Sequence, residues 1–215
     1  MTARTILTLV RHGETPANVE GVWHGSIDTQ LTERGLRQAE RVARHLASTR
    51  PRAAAVYASP LTRSRLTARA IADALGTEPR IEPDLTEYHL GSLEGLSYRE
   101  LTAKHRLFER MREDPDHAPG GGESPRQVAE RYAGALRRIA AAHPDENVIV
   151  VGHGGALTLG LALLVDGDVN SWRSAMGNCA VSDLLMHPRP ALLSFNHTCL
   201  LYTSDAADES SRGWV

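Results

Sequence analysis

Short unbroken apolar runs alternate along this chain with longer segments in which apolar residues return every three or four positions, the pattern of strands and helices in turn. The two clearest runs, residues 6–10 and 148–151, are rich in β-branched residues and predict strands buried on both faces. Shorter runs at residues 53–58 and 79–83 predict two more strands. Residues 178–186 and 191–195 flank the turn His187-Pro188-Arg189-Pro190 and predict a hairpin or edge pair. Helical spacing joins Leu36, Ala39, Val42, Ala43 and Leu46, then Leu61, Ala68, Ile71, Ala72 and Leu75, the latter stopped by Gly76. A third stripe, Val128, Ala129, Tyr132, Ala135, Leu136 and Ile139, predicts a helix over 124–143, and a fourth helix follows at 156–165. The turn-rich stretch 15–30 predicts a loop. Residues 98–112 predict one charged helix and 114–125, with three consecutive glycines, a flexible link, the two together covering a site. The alternation predicts an α/β fold, a mostly parallel sheet sandwiched between helices on both faces.

Both buried runs end alike, in Arg11-His12-Gly13 and in Gly152-His153-Gly154. Ligands of open α/β sheets bind at the carboxyl ends of strands. The two imidazoles can face each other only if their strands are neighbours. A third strand end, Ser59-Pro60, leads to Arg63 on the first turn of its helix. Arg11, Arg63, His12 and His153 would then enclose an electropositive pocket that repels itself unless it holds an anion. A tetrahedral phosphoryl group suits planar guanidinium forks best. Backbone N–H groups near Gly13 and at the start of the 156–165 helix would add donors. A neutral imidazole can attack phosphorus and split the displacement into transfer to His and hydrolysis by water. Glu87, in the glycine-bearing loop after the third short strand, is the candidate that protonates the leaving alkoxide. The arginines would stabilise charge on the phosphoryl oxygens.

Length and charge narrow the partners. A chain of 215 residues predicts one domain, placed at 1–203 with the cover at about 98–125 and a disordered tail at 204–215. A formal net charge of −2 gives no reason to expect nucleic acid. Cys179 and Cys199 fit neither a metal spacing nor a disulfide framework and predict reduced core thiols. The apolar run before Arg11 is too short for a signal-peptide core or a membrane span, so a cytoplasmic protein without a membrane partner is expected. Gly120-Gly121-Gly122 precedes a helix but follows no strand, which argues against a phosphate loop.

Five stretches, Leu9-Val10-Arg11-His12-Gly13-Glu14-Thr15, Ser59-Pro60-Leu61-Thr62-Arg63-Ser64-Arg65-Leu66-Thr67-Ala68, Glu87-Tyr88-His89-Leu90-Gly91-Ser92-Leu93-Glu94-Gly95, Gly121-Gly122-Glu123-Ser124 and Val151-Gly152-His153-Gly154-Gly155, resemble in order the motifs of the histidine phosphatase superfamily, the phosphoglycerate-mutase-like group. The resemblance runs from about residue 5 to about residue 200. It implies a three-layer α/β/α sandwich on a mixed, mostly parallel six-stranded sheet. It also implies catalysis without metal or cofactor, and relatives are often homodimers. His12 resembles the phosphorylated nucleophile, Arg11 and Arg63 the phosphate clamps, and His153 the second pocket histidine. Glu87 resembles the proton donor, Asn18 a loop contact to phosphate, and Gly154 a substrate contact. His24 stands where relatives often carry Gln, and is expected to touch substrate. Trp23 and His89 are candidate rim residues, Glu94 a structural acceptor.

A phosphatase for a small phosphorylated metabolite, such as a phosphorylated sugar, a glycerate conjugate or a nucleoside, is the first expectation. A phosphoglycerate-type mutase is the second: the mutases carry a longer segment between the acid and the second histidine, and commonly Gln at the position of Glu94. A non-catalytic phosphate-ligand binding module is the third. The Glu94-Gly95 loop and residues 172–178 resemble phosphatases of phosphorylated sugars, glycerate conjugates and cobalamin-precursor nucleosides.

Overall fold

In the computed structural model, which describes residues 4–171 and 176–198, the chain runs β1 (Ile6–Arg11), α1 (Pro16–Glu20), α2 (Glu33–Thr49), β2 (Ala55–Ala58), α3 (Thr62–Leu75), β3 (Pro79–Ile81), α4 (Tyr98–Ala103), α5 (Leu107–Glu113), α6 (Pro125–Ala142), β4 (Asn147–Gly152), α7 (Gly154–Leu161), β5 (Val181–Leu185) and β6 (Ala191–His197). The expectations for Cys199, for the tail and for residues 172–175 lie outside the described residues.

The strands form one sheet in the order β3-β2-β4-β1-β5-β6. β1, β2, β3 and β4 run parallel, β5 is antiparallel to β1, and β6 pairs antiparallel with β5. Alternation along the central strands splits the core in two. Leu7, Leu9, Val148 and Val150 pack with α6 and α7, and Val10, Ile149 and Val151 pack with α2 and α3. That is the three-layer α/β/α sandwich the pattern and the resemblance implied.

Neighbours β1 and β4 hand the chain to opposite faces, β1 toward α2 and β4 toward α7. Their carboxyl ends therefore open a crevice, the topological switch point of an open sheet.

Four departures from the predicted elements have local causes. The stretch 15–30 contains a helix: Thr15 and Asn18 form a reciprocal capping box, Pro16 occupies the first turn and Gly21 closes it at φ 67°. The helix predicted over 98–112 breaks into α4 and α5 at Arg106, φ 48°. Leu101 and Leu107 both reach the core, and six residues of one continuous helix would put them on different faces. The predicted flexible link folds into a turn clamped on the next loop, with the Glu123 N–H donating to the His89 carbonyl at 2.8 Å. Leu36, read as part of the buried stripe of α2, is 45% exposed. Gly35 takes the inner position, because a Cβ there would stand 2.1 Å from the Glu14 carbonyl oxygen.

Candidate active site at the ends of β1 and β4

Parallel pairing sets Arg11 opposite Gly152, so the residues that follow, His12 and His153, leave the sheet side by side. Their ring centroids are 5.1 Å apart and their planes 57° apart. The condition on neighbouring strands is met.

A cavity of about 320 Å3 opens here, and Arg11, His12, Asn18, His24, Arg63, Glu87 and Gly154 all line it. Of the residues expected to act in catalysis or to touch substrate, only His153 stays out of the wall: it is fully buried beside His12. His89 is turned aside, its Nδ1 2.8 Å from Glu94 Oε1.

His12 is oriented by its own neighbourhood. Its Nδ1 lies 2.7 Å from the Gly13 carbonyl oxygen. A carbonyl only accepts, so Nδ1 carries the proton and Nε2 keeps its lone pair. Burial, and then the charges of Arg11 and Arg63, push the His12 pKa well below the ordinary histidine value, so the ring is neutral at neutral pH. The His153 pKa is also pushed well down, by burial and then by Arg63, His12 and Arg11. Its Nε2 shares a 2.8 Å hydrogen bond with the Ser59 hydroxyl, while Nδ1 is buried without a partner among the described residues.

The arginines are held by backbone oxygens. Arg63 donates to the Ile27 carbonyl at 2.8 Å and to the Gly25 carbonyl at 2.7 Å. Arg11 donates from Nη1 to the Met176 carbonyl, and its buried Nε has no partner among the described residues. Gly154 lets this guanidinium close in, since a Cβ there would stand 3.3 Å from Arg11 Nε. Carbonyl anchors fix the guanidinium planes without neutralising them, which preserves positive charge for an anion.

Glu87 sits at the amino end of α7. Its carboxyl oxygens accept from the Gly155 N–H at 3.1 Å and the Ala156 N–H at 2.7 Å. This corrects the expectation that those N–H groups are free for phosphate. The Gly13 N–H is taken too, by the Thr67 hydroxyl at 3.0 Å.

Several contributors escaped the sequence pattern. Thr67, one turn beyond Arg63, donates to the Arg63 carbonyl and thereby ties that helix turn to Gly13. Ser59, at the start of the second motif, bonds His153 through its hydroxyl. Arg131 on α6 donates to the Asp84 and Thr86 carbonyls and pairs with Glu123, which braces the loop before Glu87. Glu94 accepts from the Ser26 N–H, the Ser26 hydroxyl and His89, latching the 24–29 loop to the 88–96 loop. It is the structural acceptor expected. Although burial acts to raise its pKa, those hydrogen bonds hold it below the ordinary value. The cover contributes Tyr98, Phe108 and Met111 to the cavity wall, next to Trp23 and Tyr88.

The arrangement defines an α/β protein with two buried neutral imidazoles and two fixed cations around one cavity, a site suited to a phosphoryl group. The chain belongs to the histidine phosphatase superfamily (branch 1), whose family model matches residues 7–198. It is 44% identical over 158 residues to the metal-independent phosphoserine phosphatase of Arabidopsis thaliana, covering 71% of this chain and 66% of that protein. The match thus leaves about a third of that relative unaccounted for. The glucosyl-3-phosphoglycerate phosphatase of Mycobacterium tuberculosis is 33% identical over 197 residues, 86% of each chain. A solved mycobacterial glucosyl-3-phosphoglycerate phosphatase complexed with VO3 superimposes with a TM-score of 0.81 at 32% identity, covering 90% of this chain and 99% of that one.

Proposed function

We propose that this protein is a phosphatase that hydrolyses the phosphomonoester of a small metabolite through a phosphohistidine at His12. The observation that carries it is the 2.7 Å approach of His12 Nδ1 to the Gly13 carbonyl oxygen, which commits the proton to Nδ1 and leaves the other ring nitrogen of a neutral, cavity-lining imidazole beside Arg11 and Arg63.

In the first step the Nε2 lone pair forms a bond to phosphorus as the bond from phosphorus to the substrate oxygen breaks, and Glu87 gives a proton to the departing alkoxide. In the second, water attacks phosphorus, the P–N bond breaks back to His12, and the Glu87 carboxylate takes the water proton. Arg11 and Arg63 stabilise the equatorial oxygens throughout. His153 assists from beside His12, while Asn18, His24 and Gly154 contact substrate from the cavity wall. The phosphatase names of the Arabidopsis and mycobacterial relatives support this chemistry, and the former's "metal-independent" supports a reaction without metal.

The same proposal treats residues 1–203 as one functional unit acting in the cytoplasm on a small phosphorylated metabolite, with a homodimer as the assembly to seek by light scattering. Among the described residues, no helix is long and apolar enough to cross a membrane.

The test is phosphate release from an alkyl phosphate, with and without EDTA, run beside 2-/3-phosphoglycerate interconversion. Net phosphate release that EDTA leaves unchanged is expected. Efficient interconversion without net release would make the protein a mutase, and tight phosphate binding without either reaction would make it a binding module.

A further inference from the structure

The cavity lining joins two kinds of residue: Arg11, His12 and Arg63 on the one hand, and Trp23, Tyr88, Tyr98, Phe108, Met111 and Leu159 on the other. These walls are pre-set. Trp23 donates from Nε1 to the Tyr88 carbonyl at 3.2 Å and meets the Tyr88 and Tyr98 rings edge-on, at centroid distances of 6.0 and 5.7 Å. Met111 is only 6% exposed and belongs to the main core cluster, so α5 holds its side of the wall by burial. An apolar corner fixed before binding takes up a complementary group with little ordering cost.

Charge supplies an independent argument. Among the described residues, Arg11 and Arg63 are the only arginines lining the cavity and no lysine lines it. Both are anchored on backbone, Arg63 through the Gly25 and Ile27 carbonyls and Arg11 through the Met176 carbonyl. His24 adds no fixed charge, since burial and then Arg63 lower its pKa below the ordinary histidine value. Among the described lining residues, a second anionic group on the substrate would therefore meet ring faces, with no further cation to pair it. An unpaired carboxylate in such surroundings is strongly disfavoured. The size, about 320 Å3, lies at the low end for ligand sites and suits a phosphoryl group plus one ring or a short chain.

We propose that the alcohol half of the substrate is apolar, a single aromatic ring or short alkyl group without a carboxylate, seated against Trp23, Tyr98, Phe108 and Met111. The proposal rests on the phosphatase function above and narrows its substrate to a class that the names of the relatives do not include.

The test compares kcat/KM for 2-phenylethyl phosphate, O-phosphoserine and 3-phosphoglycerate. All three are monoesters of primary alcohols, so the intrinsic ease of P–O cleavage is closely matched. We expect 2-phenylethyl phosphate to lead by about tenfold or more, chiefly through KM, as burial of one ring would give. Binding of the three corresponding phosphonates, measured by calorimetry, should rank in the same order. Phe108→Arg, which places a cation in the apolar wall, should reverse the preference toward 3-phosphoglycerate; Tyr98→Ala should shrink the lead without reversing it. Equal or better turnover and binding of the carboxylate compounds by the wild type would overturn the proposal. Should no ester be turned over at all, the phosphatase function falls, and the order of phosphonate affinities still decides the shape of the ligand.

Discussion

At the end of β1, His12 presents a ring whose Nδ1–H is fixed on a carbonyl; at the end of β4, His153 presents a ring whose Nε2 is engaged by a hydroxyl. The two stretches match in pattern, a buried strand followed by histidine and glycine, and both rings bind protons more weakly than ordinary histidines. Their surroundings separate them. A carbonyl dictates one tautomer, whereas a serine hydroxyl can donate or accept. His12 also reaches the cavity and His153 does not. Two residues of one type on neighbouring strands thus sit in different surroundings, and the proposed mechanism accordingly gives His12 the part of nucleophile and His153 that of support beside it.

Removing the rings is the largest break in this comparison. His12→Ala should lower kcat for phosphate release by on the order of 10^4-fold or more, since it removes the ring nitrogen held beside Arg11 and Arg63 in the cavity wall. His153→Ala should cost less, about 10^2-fold to 10^3-fold, and leave slow phosphorylation of His12 visible in a rapid-quench experiment. Equal losses with no phosphoenzyme in either variant would remove the distinction.

Arg63→Gln tests the electrostatics. Burial is the first cause of both lowered histidine pKa values, and Arg63 adds to it at both rings. Taking away a positive charge stabilises each imidazolium and raises each pKa. The acid limb of the wild-type kcat/KM profile should lie well below pH 6.5, and in the variant it should move upward. An unmoved limb would mean that burial alone sets the proton affinity. The linked effect on stability has a definite sign: the unfolded histidines take up protons at about pH 6.5 and the folded ones do not. Thermal stability should therefore be complete above that pH and fall as pH drops below it.

Ser59→Ala gives the smallest expected change. Losing one buried hydrogen bond to His153 should cost about tenfold in kcat with KM nearly unchanged, and a much larger fall in activity would place Ser59 in the transfer step itself.

What was legible in the sequence follows from how local each cause is. The strands around residues 6–10 and 148–151 announce themselves because burial on both faces demands unbroken apolar runs, and the stripe Val128, Ala129, Tyr132, Ala135, Leu136 and Ile139 because burial repeats with the period of the helix. The paired histidines and Arg63 were visible for the same reason: strand ends and helix starts locate them. Contacts between distant segments were not visible. Gly35 replaces Leu36 on the inner face of α2 only because the Glu14 backbone passes there. Thr67 reads as an ordinary polar helix residue until Gly13, 54 positions earlier, arrives to donate to it. The helix N–H groups expected at the phosphate were claimed instead by Glu87, 68 positions before Gly155. The break between α4 and α5 comes from a competition between Leu101 and Leu107 for one core, which the charged, weak periodicity of that stretch conceals.

The most direct measurement is the site and isomer of the phosphorylated residue, trapped by rapid quench at alkaline pH and read by mass spectrometry and phosphorus NMR. The tautomer of His12 predicts one phosphoryl group on Nε2 of His12 during turnover, lost when water completes the cycle. Phosphate on His153, on Nδ1 of His12, or on no histidine during active turnover would contradict the account.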